Sequence, residues 1–211
     1  KDKKGSIKHK IYFERAQLKR RKFRDFKGAL GDYNLSLEYN PNYVRAYVYR
    51  GILYERNYRD FQAAEKNYRK SVELDPKCGN CWMQLGFLSE RLDLDEMSDA
   101  IDKAIKYGID LNFDGKYAPL FPLYGRLGYL KIKEKDYRGA IKSYQRLIDN
   151  YEEFDSDGDG KMDETGYLDN AYYQISFIYY QYLKDKDLAL SFINKAIEVN
   201  PEDKDYYAYR A

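Results

Sequence analysis

Few residues of this 211-residue chain are of types that do chemistry, and they are sparsely placed. Its two cysteines stand together as Cys78-Gly-Asn-Cys81, directly before Trp82. A Cys-x-x-Cys pair at a helix start can be a redox couple, because a helix N-terminus favours the thiolate. It can also be half of a zinc site, but a four-thiolate site needs a second pair that the chain lacks. The remaining reading is two small loop residues, oxidised to a local disulfide. The single histidine, His9, excludes a His-rich metal centre and argues against His-dependent acid–base catalysis. No nucleophile–base constellation and no phosphate-cradling Gly loop stands out, so an enzyme is not expected. The densest charge is basic. Residues 1–27 hold 12 basic and 3 acidic side chains, a net +9, which leaves −7 for the rest of a chain of net charge +2. Within that segment Lys19-Arg20-Arg21-Lys22 runs into Phe23 and Phe26. The pattern fits a nucleic-acid patch, a surface for an acidic protein partner, or the solvated side of an amphipathic helix.

The elements that position these residues follow from composition and from a repeat. Charged residues make up 34% of the chain, but 17% is aromatic, including 25 Tyr, and that much aromatic surface argues for a packed core over disorder. No stretch approaches the roughly 20 apolar residues of a membrane span. Arg15-Ala16 opens a segment that continues through Asp25-Phe26, Ala29, Tyr33 and Ser36 to Asn40-Pro41. Arg50-Gly51 opens a second, through Asp60-Phe61, Ala64, Tyr68 and Ser71 to Asp75-Pro76, each pair offset by 35 residues without a gap. Trp82, Leu85-Gly86 and Ala104 mark a third copy; Tyr124, Leu127-Gly128, Asp136-Tyr137, Ala140 and Tyr144 a fourth. A fifth runs from Tyr172 through Ile175-Ser176, Ala189 and Ala196 to Asn200-Pro201. Each copy has apolar residues at helical spacing, a turn with Asp and an aromatic, and a second helical stretch that ends near Pro. A fixed period of this length means stacked helix pairs, since one pair cannot bury its apolar face alone.

The recurring large residue, Leu-Gly, aromatic, Ala, aromatic, Ala and Pro resembles the tetratricopeptide repeat (TPR) family. The resemblance covers nearly the whole chain and implies an all-α, right-handed solenoid of helix-turn-helix repeats. The repeats fall at about 8–41, 42–76, 79–108, 121–151 and 169–201 of a single domain, with a partial repeat or capping helix at 203–211. That last segment, Tyr206 to Ala211, repeats Ala46 to Gly51 at an offset of 160. Repeats one, two and five carry one extra residue before the Asp of the turn, and the third carries one fewer. An all-helical setting lacks the βαβ unit of a thioredoxin-type redox enzyme, which favours the local disulfide for Cys78 and Cys81.

Acidic inserts interrupt the pattern at two equivalent inter-repeat positions, about 109–120 and 152–168. The first contains Asp110-Leu-Asn112-Phe-Asp114-Gly115-Lys116, the second Asp155-Ser-Asp157-Gly-Asp159-Gly160-Lys161-Met162-Asp163. Both resemble the start of the calcium loop of EF-hands and dockerins. The resemblance implies side-chain ligands at Asp110, Asn112 and Asp114, and at Asp155, Asp157 and Asp159, with backbone carbonyls of Lys116 and Lys161 and a further ligand at Asp163. The twelfth position, a bidentate Glu in that pattern, is Phe121 in one loop and Gly166 in the other, so Glu164, Asp169 or another carboxylate would have to close the shell. The expected role of Ca²⁺ is structural, ordering a long loop; the plain alternative is a solvated Asp-Gly turn. Calcium loops and a local disulfide point to an extracytoplasmic compartment.

The family resemblance also implies that the first helix of each repeat lines a concave groove. The corresponding positions are Lys10, Phe13, Gln17, Arg20 and Arg21; Arg45, Val48, Ile52, Glu55 and Arg56; Asn80, Met83, Phe87, Glu90 and Arg91; Tyr129, Ile132 and Lys133; and Asn170, Tyr173, Phe177, Tyr180 and Gln181. Aromatics with Arg at one edge suit a peptide or protein segment, combining apolar burial with bidentate pairing to carboxylates. The partner-binding residues expected from this are Phe13, Arg20, Arg21, Arg56, Phe87, Arg91, Tyr129 and Tyr180. The Lys and Asn clamp that chaperone adaptors of the family use is replaced by Phe13 and Gln17, which disfavours a C-terminal Glu-Glu-Val-Asp ligand.

Overall fold

A computed structural model describes residues 5–109, 120–154 and 166–211. The described residues are helical and contain no strand. They divide into two compact units, residues 1–117 and 118–211.

The first unit holds three helix hairpins: α1 (Gly5–Leu18) with α2 (Phe26–Tyr39), α3 (Val44–Leu53) with α4 (Phe61–Leu74), and α5 (Gly79–Arg91) with α6 (Met97–Tyr107). The second holds α7 (Phe121–Lys133) with α8 (Tyr137–Phe154), α9 (Tyr167–Ile178) with α10 (Lys186–Val199), and a last helix α11 (Lys204–Arg210) packed on α10. Within each unit, helices pack on their hairpin partner and on the next hairpin in sequence, as a repeat stack requires. No helix of the described residues is long and apolar enough to cross a membrane.

The small-residue positions let the two helices of a hairpin meet. A Cβ built on Gly51 would lie 2.5 Å from the ring of Tyr68, and one on Gly128 would lie 2.7 Å from Tyr144. Tyr33, Tyr68, Ile101, Tyr144 and Ile193 fill the same place in the five hairpins and are all buried. The second helices start where Asp supplies a cap. The carboxylates of Asp25, Asp60, Asp136 and Asp185 accept backbone N–H groups of Gly28, Ala63, Gly139 and Leu188 at 2.8–3.0 Å. Such a cap satisfies one orphan donor of the first turn.

The extra residue of repeats one, two and five has a definite form. Helices α1, α3 and α9 each widen into a five-residue π-helical turn, at Lys19–Phe23, Tyr54–Tyr58 and Tyr179–Leu183. Each turn closes on a left-handed residue, Arg24, Arg59 or Lys184, with φ of 53–59°. The following Asp N–H then reaches back six residues, to Lys19, Tyr54 or Tyr179 O, at 3.0–3.1 Å. In the fourth hairpin, which has no extra residue, Asp136 N–H reaches back five residues, to Lys131 O. The turn of the third hairpin is not one residue short as its sequence suggests. Asp93 takes the left-handed position that Lys135 takes, and Leu94 N–H bonds Ser89 O as Asp136 N–H bonds Lys131 O. Leu94 has no capping oxygen, so α6 begins only at Met97, and Glu96 there pairs with Arg69 of α4 instead.

Candidate partner-binding face

In the first unit the candidate residues lie on α1, α3 and α5 and their wide turns, at intervals of 35 residues. Phe13 does not belong to the surface. It has no exposed area and sits among Tyr33, Tyr43 and Tyr49, with the Arg45 guanidinium 4.8 Å above its ring. Its ring is core because α3 closes over it; Val48, Ile52, Asn80 and Met83 are buried as well. Arg21, Arg56, Phe87 and Arg91 are exposed, Phe87 by 39%. Arg20 is half-buried; its guanidinium lies 5.5 Å over the ring of Tyr49, and its Nη2 donates to Gln17 Oε1 at 3.0 Å.

Two buried carboxylates hold this unit's charges in place. Asp32 of α2 receives Arg15 through two hydrogen bonds of 2.6 and 2.7 Å and Lys19 at 3.0 Å. Burial raises its pKa, but the Arg15 and Lys19 hydrogen bonds and charges outweigh that and hold it below the usual carboxylate value. Part of the basic run is therefore spent inside the fold. One repeat on, Arg50 makes the corresponding bond to Asn67 at 2.8 Å. Glu55 is the second carboxylate: it accepts the Tyr68 hydroxyl at 2.9 Å and lies 3.5 Å from Arg91 of α5. Burial, then the charge of Glu55, pushes the Tyr68 hydroxyl far up, and burial pushes Tyr33 up to about 12. Neither phenol ionises near neutral pH.

The second unit carries the exposed aromatics Tyr129 (47%) and Tyr180 (44%). Tyr180 meets Tyr209 edge-on at 6.0 Å, and Tyr209 in turn meets Tyr173, which stacks on Tyr206. Ile132 is half-buried; Lys133, Asn170 and Gln181 are exposed. Sequence reasoning missed the parallel stack of Tyr137 and Tyr182, 4.1 Å apart, which extends this aromatic surface from α8 to the wide turn after α9. The run Tyr179-Tyr180-Gln181-Tyr182 carried the signal, since three aromatics in four residues cannot all face one core. A cavity of about 210 Å³ lies among Ser176, Ala189, Leu190, Ile193 and Tyr209. At an offset of 160 residues these match Ala16, Ala29, Leu30, Tyr33 and Tyr49, around which Leu53 packs in the first unit, so the cavity has the lining of an aliphatic socket.

Cys78 and Cys81 form a disulfide at the start of α5, and both are buried in the apolar cluster with Val48, Ile52 and Tyr68. The aspartate-rich elements at 110–119 and 155–165, with the expected ligands Asp110, Asn112, Asp114, Lys116, Asp155, Asp157, Asp159, Lys161 and Asp163, lie outside the described residues. Asp169, one carboxylate that could have closed the second shell, is buried at the start of α9 and accepts Asn200 Nδ2 at 2.8 Å and the Tyr206 hydroxyl at 3.1 Å.

The sequence pattern of the tetratricopeptide repeat matches residues 44–78, 121–154 and 169–203, which are the α3–α4, α7–α8 and α9–α10 hairpins. This chain contains tetratricopeptide repeats. No curated protein sequence matches it. Among solved structures it is similar to a MamA protein, at 24% identity and a TM-score of 0.67 over 95% of this chain and 96% of the other. It is similar too to YrrB, described as a TPR protein with an unusual peptide-binding site, at 18% identity and a TM-score of 0.66 over 94% and 90%. MamA residues 41 to the end from Desulfovibrio magneticus RS-1 match at 16% identity and a TM-score of 0.61 over 93% and 97%. At these identities the likeness is one of fold.

Proposed function

We propose that this TPR chain is a non-catalytic scaffold that binds a peptide or a segment of a partner protein along the first helices of its repeats. The observation that carries this reading is the set of exposed arginines at one repeat register, Arg21, Arg56 and Arg91, beside the exposed Phe87. Aromatic and Arg side chains of this kind are the usual anchors of interfaces, since they combine large apolar area with directed hydrogen bonds. The second unit repeats the theme with Tyr129 and Tyr180. YrrB, which shares the fold, is described as binding a peptide. The test is affinity capture of partners with the intact chain and with the double variant Phe87→Glu/Tyr180→Glu. Both side chains are more than a third exposed, so stability should change little while captured partners are lost. An unchanged set of partners would remove this face from consideration.

We also propose Ca²⁺ as a structural ion of the two inserted loops. Support for it is the sequence element Asp-x-Asp/Asn-x-Asp-Gly, which occurs twice at equivalent positions.

A further inference from the structure

The first two hairpins differ from the next pair in one charge, at a place that the repeat makes comparable. Glu55 and Arg91 are 36 residues apart and form an ion pair between α3 and α5. Arg20 and Arg56 stand one repeat earlier, at the same separation of 36 and in the same register. Arg20 occupies the second position of the wide turn after α1, as Glu55 does after α3. By that register Arg20 stands where Glu55 stands and Arg56 where Arg91 stands, so a guanidinium takes the place of the carboxylate between hairpins one and two. Two cations in one partly buried spot are unfavourable unless an anion lies between them.

The local hydrogen-bond pattern points the same way. Arg20 Nε and Gln17 Nε2 are both shielded from solvent and have no acceptor among the described residues, while Arg20 Nη2 is fixed on Gln17 Oε1. Two adjacent N–H donors without acceptors form a receptor for an oxyanion, and guanidinium groups suit a carboxylate through paired hydrogen bonds. Of the acids nearby in sequence, Asp32 is taken by Arg15 and Lys19 and Glu55 by Tyr68 and Arg91, while Glu14 is exposed on α1. We infer that Arg20 and Arg56, with Gln17, form a binding site for a single carboxylate of an acidic peptide lying across α1 and α3. This rests on the peptide-binding reading above and gives it a partner chemistry. A polyphosphate backbone fits the face less well, because Glu14 and Glu90 on the same helices would repel a continuous line of charge.

The site is tested by titrating the intact ¹⁵N-labelled chain with hexaglutamate, hexaglutamine and a ten-residue oligothymidylate while following arginine Nε–Hε signals. Hexaglutamate should move Arg20 and Arg56 saturably, and hexaglutamine should not. Arg20→Glu recreates the Glu55–Arg91 arrangement with Arg56, so it should weaken hexaglutamate at least tenfold while melting at or above the wild-type temperature. Arg56→Gln should weaken it likewise without that gain. Shifts absent, or spread evenly over all exposed arginines, overturn the site, as does undiminished binding by Arg20→Glu. Movement of the pair by the oligonucleotide alone overturns the peptide assignment. If the site fails while Phe87→Glu/Tyr180→Glu still strips partners from the chain, this inference falls and the scaffold reading stands.

Discussion

Replacing Asp32 by Asn gives a sharp test of how the first hairpin is held, because the second hairpin already contains the substituted version. Asn67 stands 35 residues after Asp32 and accepts one bond from Arg50, as Asp32 accepts two from Arg15 and one from Lys19. The variant should fold in the same way and keep one neutral-acceptor bond. A hydrogen bond to a charged group is worth about 1.5–3 kcal/mol and a neutral one about 0.5–1.5 kcal/mol, so the exchange should cost Asp32 about 1 kcal/mol at pH 7. Arg15 is half exposed, and solvent screening keeps the figure near the lower end. Urea unfolding followed by circular dichroism would read this as a lower midpoint with an unchanged slope, and in a unit of this size as a melting shift of roughly 4 °C. The pH dependence separates the charge from packing. The folded pKa of Asp32 lies below the ordinary aspartate value of 3.8, so the unfolded chain takes up the proton first as the pH falls. The carboxylate's contribution is complete above that value and is lost as the pH drops below it through the folded pKa. The stability difference between wild type and Asp32→Asn should therefore be flat from pH 7 to about 5 and shrink below 3.8. Equal stability at pH 7, or a difference that persists undiminished at pH 2, would refute the reasoning.

The Cys78–Cys81 disulfide closes a loop of only four residues, for which chain entropy predicts a contribution of roughly 2 kcal/mol. Reduction, or the Cys78→Ser/Cys81→Ser variant, should lower the melting temperature of the first unit by several degrees, and an unchanged melt would show that α5 starts equally well without the bond. Millimolar Ca²⁺ should release heat in a calorimetric titration and raise the melting temperature, with both effects reduced in Asp157→Ala/Asp159→Ala; no heat and no shift would remove Ca²⁺ from the two loops.

The repeat was readable because its positions are set by short-range geometry. An Asp one turn before an Ala caps a helix wherever it occurs, and Gly51 and Gly128 are small because Tyr68 and Tyr144 lie against them. Phe13 was misread as surface for the opposite reason. Its burial depends on Tyr43, Arg45 and Tyr49, which arrive from the next hairpin some 30 residues later, and a one-residue error in helical register turns such a side chain from groove to core. The extra residue in three repeats was visible as a count, but its form was not, since a wide turn and a bulged loop have the same length. Arg20 and Arg56 were each visible as cations. That they stand in the register of Glu55 and Arg91 became legible only once that contact showed which residues two neighbouring repeats bring together.

The wide turns after α1, α3 and α9 work as expansion joints. Each absorbs one added residue in the last turn of the first helix and still delivers the following Asp to its capping position. An insertion inside a helix would ordinarily rotate everything beyond it by about 100°, sending the buried face to solvent. Here the added residue is confined to the five-residue wide turn, which closes on the same kind of left-handed residue as the turns without one. Hairpins of two lengths can thus share one stack, and a repeat can gain or lose a residue at this joint without disturbing its neighbours. Because the joint also carries Arg20, Arg21, Arg56 and Tyr180, such a change would re-aim the exposed side chains while the core stays in register.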